Sequence, residues 1–224
     1  MGCILKGGGG LYSRVTVGAV VLAAGAGVRI GRRPKCLLEL GGVPLIRRIL
    51  IALSGAGVDE VVVVLGHHAE QVRPAVESFP VTVALNPHPE DGQVSSQRVG
   101  LAALSGKLDA VLVVLADQPL LNGQDVSALI GAFKKRPEGA SVVYPRVDGK
   151  RGNPVIFTAD VKDQILSGDA DVGCRKWQAA HPELVSPFVT DNRRFRIDID
   201  TPEDLERFER DTGHILHWPS GLAG

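Results

Sequence analysis

Short apolar runs that alternate with helical segments constrain the fold of this chain more than any other feature. The runs that have the length and β-branched composition of buried strands are 17–23, 60–65, 81–85 and 110–116. The segments between them place apolar residues at helical spacing, as Leu45, Ile49 and Leu53 do. Such alternation specifies a mainly parallel sheet with helices on both faces. We therefore expect an α/β fold, a single Rossmann-like three-layer domain with a mainly parallel mixed sheet.

The rest of the chain continues this pattern. Helices are predicted at 44–54, 69–76, 95–104, 124–135, 161–166, 174–180 and 202–210, and later strands at 141–144, 154–157, 184–189 and 195–199. Ser95 and Thr201 are the expected N-caps of their helices. Because no repeat or linker is visible, we expect one domain over 15–212. Residues 1–14 are expected as a flexible lead-in or a cloning remnant, and 213–224 as a C-terminal tail.

Charge and cysteine content exclude several classes of function. The formal net charge is zero, so nucleic acid or an anionic membrane is not expected as a partner. No apolar run is long enough to span a bilayer. The three cysteines are scattered, which favours a reducing compartment, and we expect a cytoplasmic protein. The six histidines are dispersed and are expected to be surface or packing residues.

A glycine-rich, cationic loop follows the first strand. Gly25, Gly27 and Gly31 let the backbone turn with positive φ and bring its N–H groups close to a ligand. Arg29 and Lys35 supply cations suited to phosphate oxygens, together with Arg32 and Arg33. The spacing matches neither the P-loop nor the dinucleotide-binding G-x-G-x-x-G. The loop predicts a site for a nucleoside triphosphate, and the alternative is a tight turn with solvated cations.

Carboxylates mark two further points of the chain. Asp117 follows the fourth strand and precedes Pro119, so it either ligates Mg²⁺ or closes a turn. Asp198 and Asp200 are two residues apart, and on a strand they would project from the same face. Two neighbouring carboxylates need a cation or hydrogen-bond donors. Thr201 and Asp204 have the spacing of a helix capping box, which is the structural alternative for this segment.

These residues resemble the signatures of the MobA-like nucleotidyltransferases, and within that superfamily those of the molybdenum-cofactor cytidylyltransferases. The resemblance extends from about residue 17 to about residue 210. The first signature stands as Leu22-Ala23-Ala24-Gly25, Arg29-Ile30-Gly31 and Lys35, with Ile30 in place of the usual methionine. The second is Asp117-Gln118-Pro119, and the third is Asp198-Ile199-Asp200-Thr201-Pro202. The resemblance implies the fold of the nucleotide-diphospho-sugar transferases.

The resemblance also implies roles for individual residues. Arg29, Lys35 and Asp117 would be catalytic, and Asp117 would share Mg²⁺ with Asp198 or Asp200. The implied nucleotide-binding set is Leu22, Ala23, Ala24, Gly25, Gly27, Gly31, Lys35, Ser95 and Ser96. The implied acceptor-binding set is Arg151, Gly152, Asn153, Asp171 and Arg175. The last two belong to a motif that is longer here by two residues and has Cys174 in place of alanine, which leaves the matching aspartate open.

The expected activity is Mg²⁺-dependent transfer of a nucleotidyl group from CTP to a phosphorylated acceptor, a molybdopterin-type cofactor, with a transient contact to the enzyme that receives the cofactor. The alternatives are transfer from GTP, transfer to a sugar or polyol phosphate, and a silent nucleotide- or cofactor-binding protein. The missing G-x-G-x-x-G disfavours a dinucleotide-dependent oxidoreductase. The methyl group of Ala24 is expected to favour a pyrimidine base over guanine.

Overall fold

A computed structural model describes residues 14–222 of this chain, so all but the last residue of the predicted lead-in lies outside the described residues. The strands are β1 (Val17–Ala23), β2 (Glu39–Leu40), β3 (Val43–Pro44), β4 (Glu60–Leu65), β5 (Thr82–Leu85), β6 (Ala110–Leu115), β7 (Val142–Val147), β8 (Lys150–Arg151), β9 (Val155–Thr158), β10 (Val185–Val189) and β11 (Leu216–His217). The main sheet has the order β10-β7-β9-β6-β1-β4-β5, with β8 paired to β7. Strands β6, β1, β4 and β5 pair in parallel, and β9 is antiparallel to its neighbours β6 and β7. The mixed, mostly parallel sheet expected from the sequence is confirmed.

Helices cover both faces of this sheet. They are α1 (Leu45–Gly55), α2 (Ala69–Val76), α3 (Gln93–Ala103), α4 (Gly123–Lys134), α5 (Ala159–Ser167), α6 (Cys174–Ala180) and α7 (Pro202–Thr212). One apolar core combines one face of the sheet with residues of α1, α2 and α4. The other combines the opposite face with residues of α3, α5 and α6. Adjacent residues of β1 alternate between the two cores: Val21 lies in the first and Val20 in the second.

Helix α3 approaches the sheet closely because one of its residues is a glycine. A Cβ atom at Gly100 would lie 2.2 Å from Cγ1 of Val20 and 2.7 Å from Cγ2 of Val64. Both distances are too short for any side chain, so the approach of α3 to β1 and β4 requires glycine here. The close packing fixes the helix against β1, whose carboxyl end borders the site described below.

The end of the described chain contributes strand β11 to a second, three-stranded sheet of order β11-β2-β3. Leu216 and Trp218 pack against a small core that contains Ile30, Leu40 and Phe208. The residues expected as a tail, 213–224, therefore include a strand and an apolar contact with the body of the protein. Sequence reasoning missed this because a two-residue strand carries no periodicity.

Several predicted elements differ from the structure. The strand expected at 195–199 is wrong: Arg193–Arg196 form a 3-10 turn, and the following residues pair with no strand. Ser95 is not the N-cap of its helix, since α3 begins two residues earlier and Gly92 occupies the cap position. Thr201 caps α7 as expected, in a capping box with Asp204. Among the helices of residues 14–222, none combines the length and the apolar character needed to cross a membrane.

Candidate active site

A cleft with a volume of about 990 Å³ opens beyond the carboxyl ends of β1 and β6. Ligands of open α/β sheets bind at this edge. The sequence-predicted residues that line the cleft are Leu22, Ala23, Ala24, Gly25, Arg29, Lys35, Ser96, Asp117, Arg151, Asn153, Arg175, Asp198 and Asp200. Five predicted residues are not in its wall, namely Gly27, Gly31, Ser95, Gly152 and Asp171. The fold thus gathers most, but not all, of the predicted site.

The glycine-rich loop after β1 contains a short 3-10 turn, Val28–Ile30, between two left-handed glycines. Gly27 has a φ of 61°, and Gly31 has a φ of 79°. A Cβ atom at Gly27 would lie 2.0 Å from the carbonyl oxygen of Arg33, so only glycine fits there. The carbonyl of Gly27 accepts hydrogen bonds from the backbone N–H groups of Ile30 and Arg32, at 3.0 and 2.9 Å. Gly27 and Gly31 therefore shape the loop, whereas Gly25 lines the cleft.

Lys35 joins two of the predicted carboxylates. Its Nζ donates to Oδ2 of Asp117 at 2.7 Å and to Oδ1 of Asp200. Arg29 donates to the other oxygen of Asp200 at 2.8 Å. The side chains of Lys35 and Asp117 are each 17% exposed, so these contacts are shielded from water, whereas Arg29 remains 65% exposed. The sequence-predicted catalytic residues Arg29, Lys35 and Asp117 are thus linked through Asp200, which was expected only as an alternative metal ligand.

A single backbone contact brings the last carboxylates to this cluster. The N–H of Ile199 donates to the carbonyl of Asp117 at 3.1 Å, and the buried Ile199 side chain anchors the segment in the small core. The carboxylate of Asp204 then accepts from the N–H groups of Asp200 and Thr201, at 2.9 and 2.8 Å. Asp200 is therefore held at the start of α7 by the capping box and not on a strand.

The pKa values reflect the crowding of like charges in the cleft. Burial raises the pKa of Asp117 despite the nearby Lys35 ammonium. Burial likewise raises the pKa of Asp198, and the charges of Asp117 and Asp200 raise it further. Burial opposes ionisation of Asp200, but its contacts with Lys35 and Arg29 hold its pKa below the usual value. Burial alone would lower the pKa of Lys35, yet its two carboxylate partners raise it above the usual value, so Lys35 is charged at neutral pH.

Two properties of the cluster favour a bound cation, namely its net negative charge and one carboxylate oxygen without a hydrogen-bond partner. Its carboxylates are nevertheless not arranged as a complete set of metal ligands. Oδ1 of Asp117 is buried and has no hydrogen-bond partner, which is costly unless a cation or donor reaches it. When ionised, the carboxylates carry one more negative charge (Asp117, Asp198 and Asp200) than the two cations carry positive charges (Lys35 and Arg29). Within residues 14–222, however, no group of three or more His, Cys, Asp or Glu side chains is arranged to hold a metal ion. The ammonium of Lys35 lies between Asp117 and Asp200 instead.

The N-terminal half of α3 also lines the cleft. Ser96 is buried and lines the cleft, and its hydroxyl accepts from Nδ2 of Asn86 at 3.0 Å. Ser95, predicted to bind nucleotide, donates instead to Oδ1 of Asn86 at 3.1 Å. Asn86 is 2% exposed and also accepts from the N–H of His88. The sequence did not single out Asn86, because a lone asparagine at the end of a strand is common turn chemistry.

Three of the five predicted acceptor residues, Arg151, Asn153 and Arg175, line the cleft. The guanidinium of Arg151 stacks over the ring of Tyr144, 4.1 Å from its centroid, and donates to Oε1 of the buried Gln178. Desolvation lowers the pKa of Arg151, and the charge of Arg175 lowers it further, so two like charges face this region. Within residues 14–222, no carboxylate lies within ion-pair distance of either arginine.

The other two predicted acceptor residues, Gly152 and Asp171, do not line the cleft. A Cβ atom at Gly152 would lie 2.6 Å from the carbonyl oxygen of Phe195, so this glycine permits close backbone packing. Asp171 is exposed and pairs with Lys176.

The cleft also contains residues that sequence reasoning missed. His67 lines it, and Nε2 of His68 contacts the carbonyl of Ala26 at 3.1 Å, so both belong to the surroundings of the loop. Gln97 and Gln178 are buried polar residues of the wall. Their signal is burial, which becomes visible only in the folded chain. Burial raises the pKa of Cys36 and of Cys174 to about 12, so neither thiol is an ionised nucleophile at neutral pH.

Comparison with known proteins agrees with this geometry. The family model of the MobA-like NTP transferase domain matches residues 19–185. The chain belongs to this family. Its MobA-like domain therefore includes the glycine-rich loop, Lys35, Asp117 and the predicted acceptor residues, whereas Asp198 and Asp200 lie beyond the matched range.

One relative and two solved structures are similar to this chain over most of its length. Nicotine blue oxidoreductase from Paenarthrobacter nicotinovorans is 33% identical over 85% of this chain and 95% of its own length. A nucleotidyl transferase from Methanothermobacter thermautotrophicus is 27% identical, with a TM-score of 0.70 over 88% of this chain and 97% of its own. Rv0371c from Mycobacterium tuberculosis is 25% identical, with a TM-score of 0.72 over 88% and 98%. The family and these structures support nucleotidyltransferase activity.

Proposed function

We propose that this chain is a cytidylyltransferase that transfers CMP from CTP to the phosphate of a molybdopterin-type cofactor and releases pyrophosphate. The observation that carries the proposal is the cluster of Lys35, Asp117 and Asp200 on the wall of a cleft that also contains the glycine-rich loop. Charged groups of both signs, partly shielded from water, suit a reaction that moves negative charge between phosphate groups.

The cations of the cluster have donors left for a triphosphate. An ammonium group has three N–H donors, and Lys35 uses two of them on Asp117 and Asp200. Arg29 has five donors and contacts Asp200 through one nitrogen, with most of its side chain exposed. We therefore assign both residues to the phosphates of the nucleotide, with the backbone of Leu22, Ala23, Ala24 and Gly25 beside them. Gly27 and Gly31 act indirectly, by shaping the loop.

The reaction needs no enzyme-bound intermediate. An oxygen of the acceptor phosphate forms a bond to the α-phosphorus of CTP as the bond to the β-phosphate oxygen breaks, and pyrophosphate leaves with that electron pair. The acceptor oxygen is already ionised, so positioning and charge neutralisation supply the catalysis. Asp117 and either Asp198 or Asp200 would hold Mg²⁺, which neutralises developing charge on the phosphates when bound. Arg151, Asn153 and Arg175 are assigned to the acceptor.

The preference for CTP rests on the space beside Ala24. This residue is 5% exposed, and its Cβ atom would lie only 2.8 Å from a Cβ atom built on Gly66. Ala24 also lines the cleft, and we infer that its methyl group leaves less space where the base would meet the loop, which favours the smaller pyrimidine ring. Discrimination by about one methyl group corresponds to roughly 1–3 kcal/mol, so we expect GTP to be used about tenfold less well.

The test is pyrophosphate release by the purified protein from each of the four nucleoside triphosphates, with and without extracted molybdopterin cofactor. Rv0371c has been solved as a complex with manganese, so Mn²⁺ is tested beside Mg²⁺. We expect the fastest release when CTP and the cofactor are both present, about tenfold slower release with GTP and the cofactor, and none without the cofactor. Faster release from GTP would make the protein a guanylyltransferase. Release only with a sugar or polyol phosphate would contradict the acceptor, and CTP binding without turnover would indicate a binding protein.

The name of one relative supports a second candidate. Nicotine blue oxidoreductase matches this chain over 95% of its own length, so an oxidoreductase with this fold is a specific alternative. The absence of G-x-G-x-x-G does not exclude another mode of dinucleotide binding. Oxidation of NADH or NADPH in the presence of nicotine blue, followed by absorbance, tests it. Turnover there, with no pyrophosphate released from any nucleotide, would replace the cytidylyltransferase proposal.

A further inference from the structure

Arg98 lies on α3, and the reaction proposed above gives it no role. Its guanidinium donates to a set of backbone carbonyls that all belong to the end of α5 or to the loop after it. The acceptors are Leu166 at 2.9 Å, Asp169 at 3.2 Å, Gly168 and Val172 at 3.3 Å each, and Ile165. One side chain thus fastens a whole segment to α3.

The segment that Arg98 holds has little support of its own. The α5–α6 loop, residues 168–173, contains no helix or strand, and α5 ends with carbonyls that no longer have helical partners. Its residues 168–171 are exposed to solvent. A loop of this kind has a fixed position only if side chains bind its backbone. Arg98, with five donors in a rigid planar fork, is suited to that task.

Gln97 fastens the other end of the same loop. Its Oε1 accepts from the N–H of Cys174, the first residue of α6, at 2.9 Å, and the contact is buried. A Cβ atom at Gly173 would lie 2.7 Å from this oxygen and 3.0 Å from Cγ2 of Val94. The loop therefore lies directly on α3, and glycine at position 173 permits this contact.

These contacts connect the two halves of the proposed site. The first turns of α3 line the cleft through Gln93, Ser96 and Gln97, and Ser96 belongs to the set predicted to bind the nucleotide. The loop leads directly into α6, which lines the cleft through Arg175 and Gln178, and Arg175 is assigned to the acceptor. The separation of the two halves is thus set by one helix and the side chains that project from it.

We propose that Arg98 and Gln97 are positioning residues, which hold the α5–α6 loop so that α6 presents its acceptor-binding groups at the correct distance from the nucleotide. The inference rests on the proposed function, since it assumes transfer between two substrates. Transfer requires the reacting atoms to approach within about 3–3.5 Å, so a small displacement of one half is costly. Loss of the Arg98 contacts should impair use of the acceptor and leave binding of CTP unchanged.

The chain offers a matched control for Arg98. Arg136 also donates to backbone carbonyls at the end of a helix and in the loop after it, those of Phe133 at 2.9 Å and Ala140 at 2.7 Å, but it is not part of the cleft. Arg98→Met and Arg136→Met remove the same group from the same kind of contact. Arg98→Lys keeps a charge and three donors, so it should restore part of the function. Gln97→Leu tests the other end of the loop should Arg98→Met fail to fold.

The measurements are amide hydrogen exchange, calorimetric binding of CTP, and steady-state kinetics with CTP, Mg²⁺ and extracted molybdopterin cofactor. For Arg98→Met we expect at least tenfold faster exchange over 168–178, a KM for the acceptor raised at least tenfold, and a CTP affinity within twofold of the unmodified protein. Gln97→Leu should raise the exchange rate and the acceptor KM similarly, and Arg98→Lys should raise both by less. Arg136→Met should leave all three quantities within twofold.

Unchanged exchange over 168–178 in both Arg98→Met and Gln97→Leu would overturn the inference, as would faster exchange with an unchanged acceptor KM. Equal effects of Arg98→Met and Arg136→Met on exchange, acceptor KM and CTP affinity would show that Arg98 contributes only to general stability. If the unmodified protein releases no pyrophosphate from any nucleotide, the proposed function fails separately. The inference is then decided by exchange and by calorimetric binding of inorganic phosphate, which should weaken at least fivefold in Arg98→Met and stay unchanged in Arg136→Met.

Discussion

At the scale of single residues, Lys35 combines two tasks that are usually divided between side chains. It neutralises Asp117 and Asp200, which lie together at a partly buried position, and it retains a donor for a ligand. The arrangement makes Lys35 structural as well as functional. A purely solvated lysine would affect only binding when replaced, whereas this one should also affect folding.

Lys35→Met should therefore lower both the thermal stability and the affinity for CTP. Removing one partner of a buried ion pair costs about 3–5 kcal/mol, and the partial exposure here reduces this to roughly 1–3 kcal/mol. For a chain of this size that predicts a Tm lower by several degrees. Calorimetric unfolding and CTP titration measure the two effects. An unchanged Tm would show that the ion pairs contribute nothing, and unchanged CTP binding would remove Lys35 from the phosphate site.

Asp117→Asn should lower the rate of turnover strongly and the stability only slightly. Burial raises the pKa of Asp117, which means that folding disfavours its charged form, so a neutral amide should cost less than about 1 kcal/mol of stability. Pyrophosphate release should fall by on the order of a hundredfold or more, because a charge directed at the reacting groups is lost. Kinetics and thermal unfolding of the same preparation give both values. Turnover at the original rate would exclude Asp117 from the proposed metal site.

At the scale of secondary structure, side chains tie the ends of elements to loops that the sheet does not hold. Glu60, the first residue of β4, accepts from the N–H and the hydroxyl of Ser105 and from the N–H of Gly106, at 2.8, 3.0 and 2.8 Å. This carboxylate fixes the connection between α3 and β6. Because α3 lines the cleft beside the proposed nucleotide site, this contact helps to fix the position of the helix at the site.

The contribution of Glu60 should depend on pH. Burial would raise its pKa, but the three donors of Ser105 and Gly106 outweigh burial and hold the pKa below the usual 4.5. Ionised Glu60 therefore stabilises the fold above pH 4.5, and this stabilisation is lost as the pH falls through the lower pKa of the folded state. Glu60→Gln should cost about 1 kcal/mol at pH 7, a value already discounted for solvent screening, and progressively less below pH 4.

The exposed Glu206 of α7 provides the control for this measurement. Glu206→Gln should change the unfolding temperature by less than a degree or so at either pH, as surface substitutions usually do. A stability difference for Glu60→Gln that stayed constant from pH 7 to pH 3 would contradict the proposed origin of the stabilisation.

At the scale of the whole molecule, the last described residues contact the glycine-rich loop of the site. Strand β11 pairs with β2, and the guanidinium of Arg33 lies 5.1 Å from the centroid of the Trp218 ring. Arg33 also donates to the carbonyl of Leu222 at 3.2 Å. The glycine-rich loop is therefore supported by residues almost two hundred positions later in the chain.

Trp218→Ala should destabilise the protein and weaken CTP binding together. The partly buried indole ring contributes apolar contact to the small core, and its loss should cost about 2 kcal/mol, below the value for a fully buried tryptophan. Ile215→Ala, at a residue that is 49% exposed, is the control and should cost less than about 0.5 kcal/mol. Equal unfolding temperatures for the two variants would show that 213–222 behave as the tail predicted from the sequence.

The sequence by itself determined the features that depend on neighbouring residues. Apolar runs located β1, β4, β5 and β6 to within about one residue. Strands β1, β4 and β6 lie inside the sheet and must be almost continuously apolar, whereas β5 is a partly exposed edge strand. The glycine-rich loop and the capping box of Thr201 follow from local backbone chemistry, and both are present. The resemblance to the MobA-like family also rested on such local signatures.

Only the tertiary structure decided which of these residues meet. Lys35 contacts Asp200 across a separation of 165 positions, and no local pattern encodes that distance. The segment before α7 had the alternation of a strand but lies outside both sheets. Backbone bonds from Ile199 to Asp117 and from Asn153 to Phe195, together with the burial of Phe195 and Ile199, hold it there. Periodicity records which side of a segment is buried, whereas its partner is set by packing between distant parts of the chain. For that reason the pairing of Arg98 with the α5–α6 loop became visible only in the folded protein.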